Sequence, residues 1–194
     1  MRAAIIPARG GSSRIPRKNI KMFHGKPVIA YSIAAAKESG LFDGGVWVST
    51  EDPEVAQIAL ANGARVIMRP SNLAEMNGAP DCGTQEVARH AVSTLQLDGV
   101  KVDRVCCIYP CAPTMTATDI WAVHTAARVT GWCGIYYVPG WLYWMTAQRL
   151  LSDPEIKDSD FGMDLSRSRY VDINTTEDWA RAEQMYAEMN GVAA

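Results

Sequence analysis

Short apolar runs alternate with segments of helical spacing along the whole chain. Ala3, Ala4, Ile5 and Ile6 form the first run, which reads as a buried strand. Pro7 closes it, because a residue without an N–H cannot continue a ladder. Pro27 suits the first turn of a following helix with Val28, Tyr31, Ile33 and Ala35 on its buried face, and Gly40 suits the position just past its end. Val46 to Val48 predicts a second strand that ends at Ser49-Thr50. Thr50 or Asp52 can cap the next helix, with Pro53 in its first turn and Gly63 beyond its end. Arg65 to Met68 predicts a third short strand, closed by Arg69-Pro70.

Ser71 to Gly83 has no periodicity and reads as a loop. Thr84 to Leu97 predicts a helix with Val87, Ala88, Ala91, Val92 and Leu95 inward. Asp103 to Ile108 predicts a strand buried on both faces, because its Val-Cys-Cys-Ile centre carries no polar side. A helix from Thr118-Asp119 to about Thr130, a strand over Gly134 to Val138 and a last strand over Ser168 to Ile173 follow. Thr175 to Asp178 opens a terminal helix whose inward face is Trp179, Ala182, Met185, Tyr186 and Met189. Gly140 to Gly162 is the least legible stretch; its Trp-Leu-Tyr-Trp cluster fits a core patch, a subunit contact or a sugar-ring platform, with core or interface favoured. Strands alternating with helices predict an α/β fold: one domain over residues 1–194, Rossmann-like, with a mostly parallel sheet flanked by helices.

Composition changes this picture little. The chain has 194 residues, a formal net charge of -2 and 48% hydrophobic residues, a balance that suits a soluble domain and disfavours a broad nucleic-acid face. No apolar run approaches the roughly 20 residues of a membrane helix, and the start of the chain carries no secretory pattern, so a cytoplasmic location is expected. Five cysteines at irregular spacing argue for free, mostly buried thiols rather than disulfides or zinc. His24, His90 and His124 are scattered and suggest neither a metal centre nor a catalytic triad.

Chemistry concentrates directly after the first strand. Gly10 and Gly11 permit a tight turn with exposed amides, and Arg9, Arg14, Arg17 and Lys18 surround it with positive charge. A strand followed by a Gly-rich basic loop is suited to cradling phosphates. Neither the P-loop string nor the dinucleotide fingerprint occurs. Other polar groups also follow predicted strands: Ser49-Thr50, Arg69, Tyr109 to Pro113 and Asp172 to Asn174. In open α/β sheets that is where ligands bind.

The stretch Pro7-Ala-Arg-Gly-Gly-Ser-Ser-Arg-Ile-Pro-Arg-Lys-Asn19, followed by Gly25-Lys-Pro27, resembles the signature of the cytidylyltransferases that activate acidic sugars. The pseudaminate and sialate branch matches most closely, and a cytidylyltransferase of the 3-deoxy-manno-octulosonate (KDO) type is the alternative within the same resemblance. The resemblance continues through Val48 to Ala56, Arg69-Pro70 with Leu73, Gly83-Thr84, Arg89 to Ala91, and Ser168 to Trp179, and is weakest over Gly140 to Gly162.

The resemblance implies transfer of CMP from CTP to the anomeric hydroxyl of an acidic nine-carbon sugar, with release of pyrophosphate. It implies catalytic roles for Arg9, Lys18 and Asp172. Substrate contacts would come from Gly10, Gly11, Ser12, Asn19, Arg69, Thr84 and Tyr109, and Arg167 or Arg169 could pair with the sugar carboxylate. Mg²⁺ is the implied cofactor, held by Asp172 and Asn174, and the family precedent implies a homodimer with no nucleic-acid or membrane partner. Two positions depart from the family pattern. Ser13 replaces the usual Lys, and Asn174 replaces the second Asp of an Asp-x-Asp pair, which raises the alternative of a CTP-binding homologue with weak or lost turnover.

Overall fold

The computed structural model describes residues 1–12, 14–73, 82–153, 155, 157, 159–163 and 171–191. Strand β1 (Arg2–Pro7) leads into the basic loop, a 3₁₀ turn over Lys18–Ile20 and the small hairpin β2 (Met22–Phe23) and β3 (Lys26–Pro27). Helix α1 (Val28–Glu38), β4 (Val46–Thr50), α2 (Pro53–Ala61) and β5 (Arg65–Met68) follow. Then come α3 (Cys82–Leu97), β6 (Arg104–Ile108), α4 (Ala117–Val129), β7 (Tyr136–Val138), β8 (Leu142–Thr146), α5 (Ala147–Ser152), β9 (Phe161–Gly162) and α6 (Thr176–Asn190).

Seven strands form one sheet in the order β5-β4-β1-β6-β8-β7-β9. The β1–β4, β1–β6, β4–β5 and β7–β9 pairs are parallel, and β8 runs antiparallel to both β6 and β7. The sheet is therefore mostly parallel and flanked by helices, as its uninterrupted apolar strands predict. Alternate residues of β1 serve opposite faces. Ala4 and Ile6 join Ile29, Ile33, Val48, Cys106 and Ile120 on one face, while Ala3 and Ile5 join Ala88, Val92, Val105 and Cys107 on the other.

The helix ends follow the sequence signals. Asp52 caps α2 by accepting N–H bonds from Glu54 and Val55, with Pro53 at the first helical position. Gly40 and Gly63 adopt the left-handed conformation just past α1 and α2, where a side chain would be strained. Thr116–Asp119 and Thr175–Asp178 both form capping boxes, each a Ser/Thr-type cap paired with an acid three residues on.

One open expectation narrows to its favoured reading, and two change. Trp141, Leu142, Tyr143 and Trp144 are all buried, so this cluster is core and offers no free subunit contact or sugar platform. It supplies β8, covered on both faces, which is why its sequence shows no alternation. The last strand predicted over Ser168 to Ile173 lies partly outside the described residues, and Val171 to Ile173 join no ladder among the described residues. Val171 and Ile173 instead bury their side chains among Ile15, Phe23, Val28, Trp179 and Ala182. The alternation about Asp172 comes from an extended chain lying on that cluster. Met189, expected inward on α6, is 39% exposed, because α6 is anchored near its start by Trp179 and Ala182.

Candidate active site

The parallel strands direct their carboxyl ends to one edge of the sheet, and there the polar segments meet. The ladder of β1 extends one step beyond Pro7, where Ala8 N–H donates to Ser49 O at 2.9 Å. Arg9 then points to solvent, and Gly10 is buried against the turn after β4. A Cβ on Gly10 would collide with the Asp52 carboxylate, so only glycine fits this approach. Gly11 is exposed with nothing crowding it.

One peptide unit of the loop is held at both poles. Asn19 Nδ2 donates to Arg9 O at 2.8 Å, and Gly10 N–H donates to Glu51 Oε1 at 2.7 Å. Each holding residue is itself held. Cys111 Sγ donates to Asn19 Oδ1 at 3.2 Å. Arg69 donates to Glu51 Oε2 from Nε at 3.1 Å and from Nη2 at 2.8 Å, while its Nη1 donates to Ser49 O at 3.2 Å. Burial lowers the pKa of the Arg69 guanidinium, opposed by the neighbouring Glu51 charge. Burial also pushes the Cys111 thiol up to about 12, with Lys18 nearby acting against it and Asp172 with it. The thiol is therefore a neutral donor at physiological pH.

A second clamp lies on the outer side. Arg17, at a left-handed φ of 54°, donates to Asp52 Oδ1 at 3.1 Å and to Glu54 Oε2 at 2.5 Å. The Arg17 contact, with the α2 amides, holds the Asp52 carboxyl down at about 2. On the opposite side, Lys18 Nζ donates to Ile173 O at 2.6 Å and ties the loop to the segment before α6. Asn174 N–H and Thr175 N–H both donate to Asp178 Oδ2, so the same capping box that starts α6 also fixes this segment.

Most of the expected site residues therefore meet at one edge. Arg9, Gly11 and Asp172 are exposed there, and Ser12, Lys18, Thr84, Tyr109 and Asn174 are half-buried. Asn19 and Arg69 are nearly fully buried and turned toward protein groups. The Gly10 amide, expected to face a phosphate, is taken by Glu51. Thr84 lies in the first turn of α3 beside the buried Tyr143 hydroxyl, whose pKa is raised well above its ordinary range by burial and by Cys107. Tyr109 follows β6, with its N–H on Trp141 O at 2.7 Å and its carbonyl accepting from the Ser32 hydroxyl at 2.8 Å. Ser13, Arg167 and Arg169 lie outside the described residues. Sequence reasoning missed Glu51 and the tie of Cys111 to Asn19; the one signal for Glu51 is its position directly after a strand end.

For the metal, the donor set at this edge is all oxygen: the Asp172 carboxylate and the Asn174 amide. Among the described residues no group of three or more His, Cys, Asp or Glu side chains converges. Hard oxygen donors in small number fit Mg²⁺, which keeps waters and takes phosphate oxygens for the rest of its shell.

A sequence model of the family described as "Cytidylyltransferase" matches residues 3–112. This range holds the loop, the Glu51–Asp52 turn, Arg69 and Tyr109. The chain is 46% identical over 112 residues to a pseudaminic acid cytidylyltransferase of Campylobacter jejuni, a match covering 57% of this chain and 46% of that protein. The match thus spans just under half the length of that relative. A CMP-N,N'-diacetyllegionaminic acid synthase of Legionella pneumophila is 28% identical, with 94% of each chain covered. That alignment runs over 228 positions, more than the 194 residues of this chain, so the relative carries internal segments without a counterpart here. Among solved structures, CMP:2-keto-3-deoxy-manno-octonic acid synthetase complexed with CTP superposes with a TM-score of 0.76 at 15% identity, covering 97% of this chain and 99% of that one. At that identity the likeness concerns the fold.

Proposed function

Because the chain belongs to the cytidylyltransferase family, we propose that it transfers CMP from CTP to the anomeric hydroxyl of an acidic nine-carbon sugar of the pseudaminic or sialic type, releasing pyrophosphate. The observation that carries the reading is the preset loop at the carboxyl edge of the sheet: its Arg9–Gly10 peptide is held from both sides while Arg9 and Gly11 stay exposed. A triphosphate needs such a cradle, because transfer at phosphorus is mainly positioning and charge stabilisation.

In this reading Arg9 and Lys18 neutralise the triphosphate, and the Gly11 amide and Ser12 hydroxyl donate to its oxygens. Lys18 exchanges the Ile173 carbonyl for a phosphate oxygen when nucleotide arrives. Thr84 and Tyr109 border the nucleoside, and Arg167 or Arg169 pairs with the sugar carboxylate. Asp172 and Asn174 would hold Mg²⁺, which when bound supplies positive charge next to the phosphates. The reading treats residues 1–194 as one nucleotidyltransferase domain.

A second reading, a CTP-binding homologue with weak turnover, is favoured by one observation: Asn174 brings no charge to the pair it forms with Asp172. Calorimetric titration with the four ribonucleoside triphosphates tests both readings at the level of binding. CTP is expected to bind more tightly than ATP, GTP or UTP, and equal affinity for all four would reject the cytidylyl assignment.

A further inference from the structure

We propose that Glu51 is a positioning residue of the nucleotide loop, fixing the Arg9–Gly10 peptide through the Gly10 N–H, and that Arg69 acts through Glu51 rather than on the nucleotide. The inference rests on the reading that this loop binds a triphosphate.

The geometry is a relay across neighbouring strand ends. Peptide groups in glycine loops rotate readily, because glycine populates both signs of φ. Here the carbonyl pole of the unit is fixed by Asn19 and the N–H pole by Glu51. The two bonds pull the plane in opposite senses and leave it one orientation. That orientation sets where Arg9 leaves the backbone on one side and where Gly11 presents its N–H on the other. Glu51 could swing away from a lone amide, but three of its contacts act at once: Gly10 on Oε1 and two Arg69 nitrogens on Oε2. Arg69 is committed to protein groups, with three of its five N–H donors bonded to Glu51 and Ser49. Its side chain is 3% exposed, and Nε, Nη1 and Nη2 all donate to protein oxygens. A buried guanidinium in such a fork is held firmly, and releasing it for a ligand would strand the Glu51 carboxylate. Sheet order explains why these residues meet. Arg69 follows β5, Glu51 follows β4 and Gly10 follows β1, and these three strands are adjacent.

Removing one charge of a buried pair destabilises a protein through the stranded partner, so single variants would confuse folding with positioning. Two double variants avoid this. Glu51→Gln/Arg69→Met removes both charges and keeps an amide oxygen for the Gly10 N–H. Glu51→Met/Arg69→Met removes both charges and the acceptor. The two differ only in the bond to the loop. CTP and CMP affinities are read by calorimetry, and exchange of the Gly10 and Gly11 amides by NMR.

The Gln/Met protein should bind CTP within about threefold of wild type, and the Met/Met protein should lose about tenfold, the cost of leaving a buried donor unpaired at the loop. CMP should be affected less than CTP, because it makes fewer loop contacts. The Gly10 amide should exchange faster in Met/Met than in Gln/Met. Equal Gly10 exchange in the two variants would overturn the clamp. An equally large CTP loss in both would overturn the indirect role and return Arg69 to direct contact. If wild type binds no CTP at all, the triphosphate reading fails, and the exchange comparison still decides whether Glu51 holds the loop.

Discussion

Lys18 Nζ donates to the carbonyl oxygen of Ile173 at 2.6 Å, joining the basic loop to a segment 155 residues away in the chain. The bond places an ammonium of the loop on the backbone between Asp172 and Asn174. It also explains why a short extended stretch with no strand partner among the described residues stays in place. Val171 and Ile173 lie on the cluster formed by Phe23 and Trp179, Lys18 holds the backbone between Asp172 and Asn174, and Asp178 holds the next two amides.

Lys18→Ala should therefore weaken CTP binding by about tenfold or more, the scale of one charge-assisted hydrogen bond, and CMP binding less. Calorimetric titration of both nucleotides checks this. An unchanged CTP affinity would mean that Lys18 only braces Ile173.

The Arg17–Asp52 pair predicts a pH effect on stability. Its native carboxyl pKa of about 2 lies below the unfolded value. Asp52 thus stabilises the fold fully above the unfolded carboxylate range near 3.9, and this contribution is lost as pH falls through about 2. Asparagine caps helices as well as aspartate, so Asp52→Asn isolates the ion pair. The variant should be less stable than wild type by about 1 kcal/mol at neutral pH, the modest scale of a partly solvated pair, with the gap closing in acid. Urea denaturation across pH measures it, and a gap independent of pH would contradict the assignment.

The metal prediction rests on Asp172 and Asn174. With one carboxylate, Mg²⁺ binding without nucleotide should be weak and should tighten with CTP. Asp172→Ala should abolish transfer with little change in melting temperature, since the side chain is exposed. Asn174→Asp should lower the Mg²⁺ concentration for half-maximal rate. Three superimposable Mg²⁺ titrations would reject the metal role.

Local signals made much of the fold legible. The runs Ala3 to Ile6 and Val105 to Ile108 need both faces covered, and Asp52-Pro53 and Thr175 to Asp178 mark helix starts by their own chemistry. Val171 to Ile173 misled because alternation reports one buried side, and an aromatic cluster can supply that side as well as a sheet can. The Trp141 to Met145 run was plainly apolar, but nothing local distinguishes a core strand from a subunit face. The gathering of polar segments at the carboxyl edge of the sheet was legible, and the bonds among them were not. Glu51 meets Gly10 41 residues before it and Arg69 18 residues after it, a pairing fixed by the order β5-β4-β1. Asn19 and Arg69 look like ligand contacts in a string of letters. Burial shows them turned toward the loop and its support.

The central claim is CMP transfer to an acidic sugar, and turnover tests it most directly. The protein is incubated with CTP, Mg²⁺ and, in separate reactions, pseudaminic acid, N-acetylneuraminic acid, a legionaminic acid and KDO, and pyrophosphate and CMP-sugar are quantified together. The account predicts equimolar pyrophosphate and CMP-sugar with at least one nine-carbon acid, and a lower rate with KDO. Tight CTP binding with no CMP-sugar from any of the four acids would contradict it.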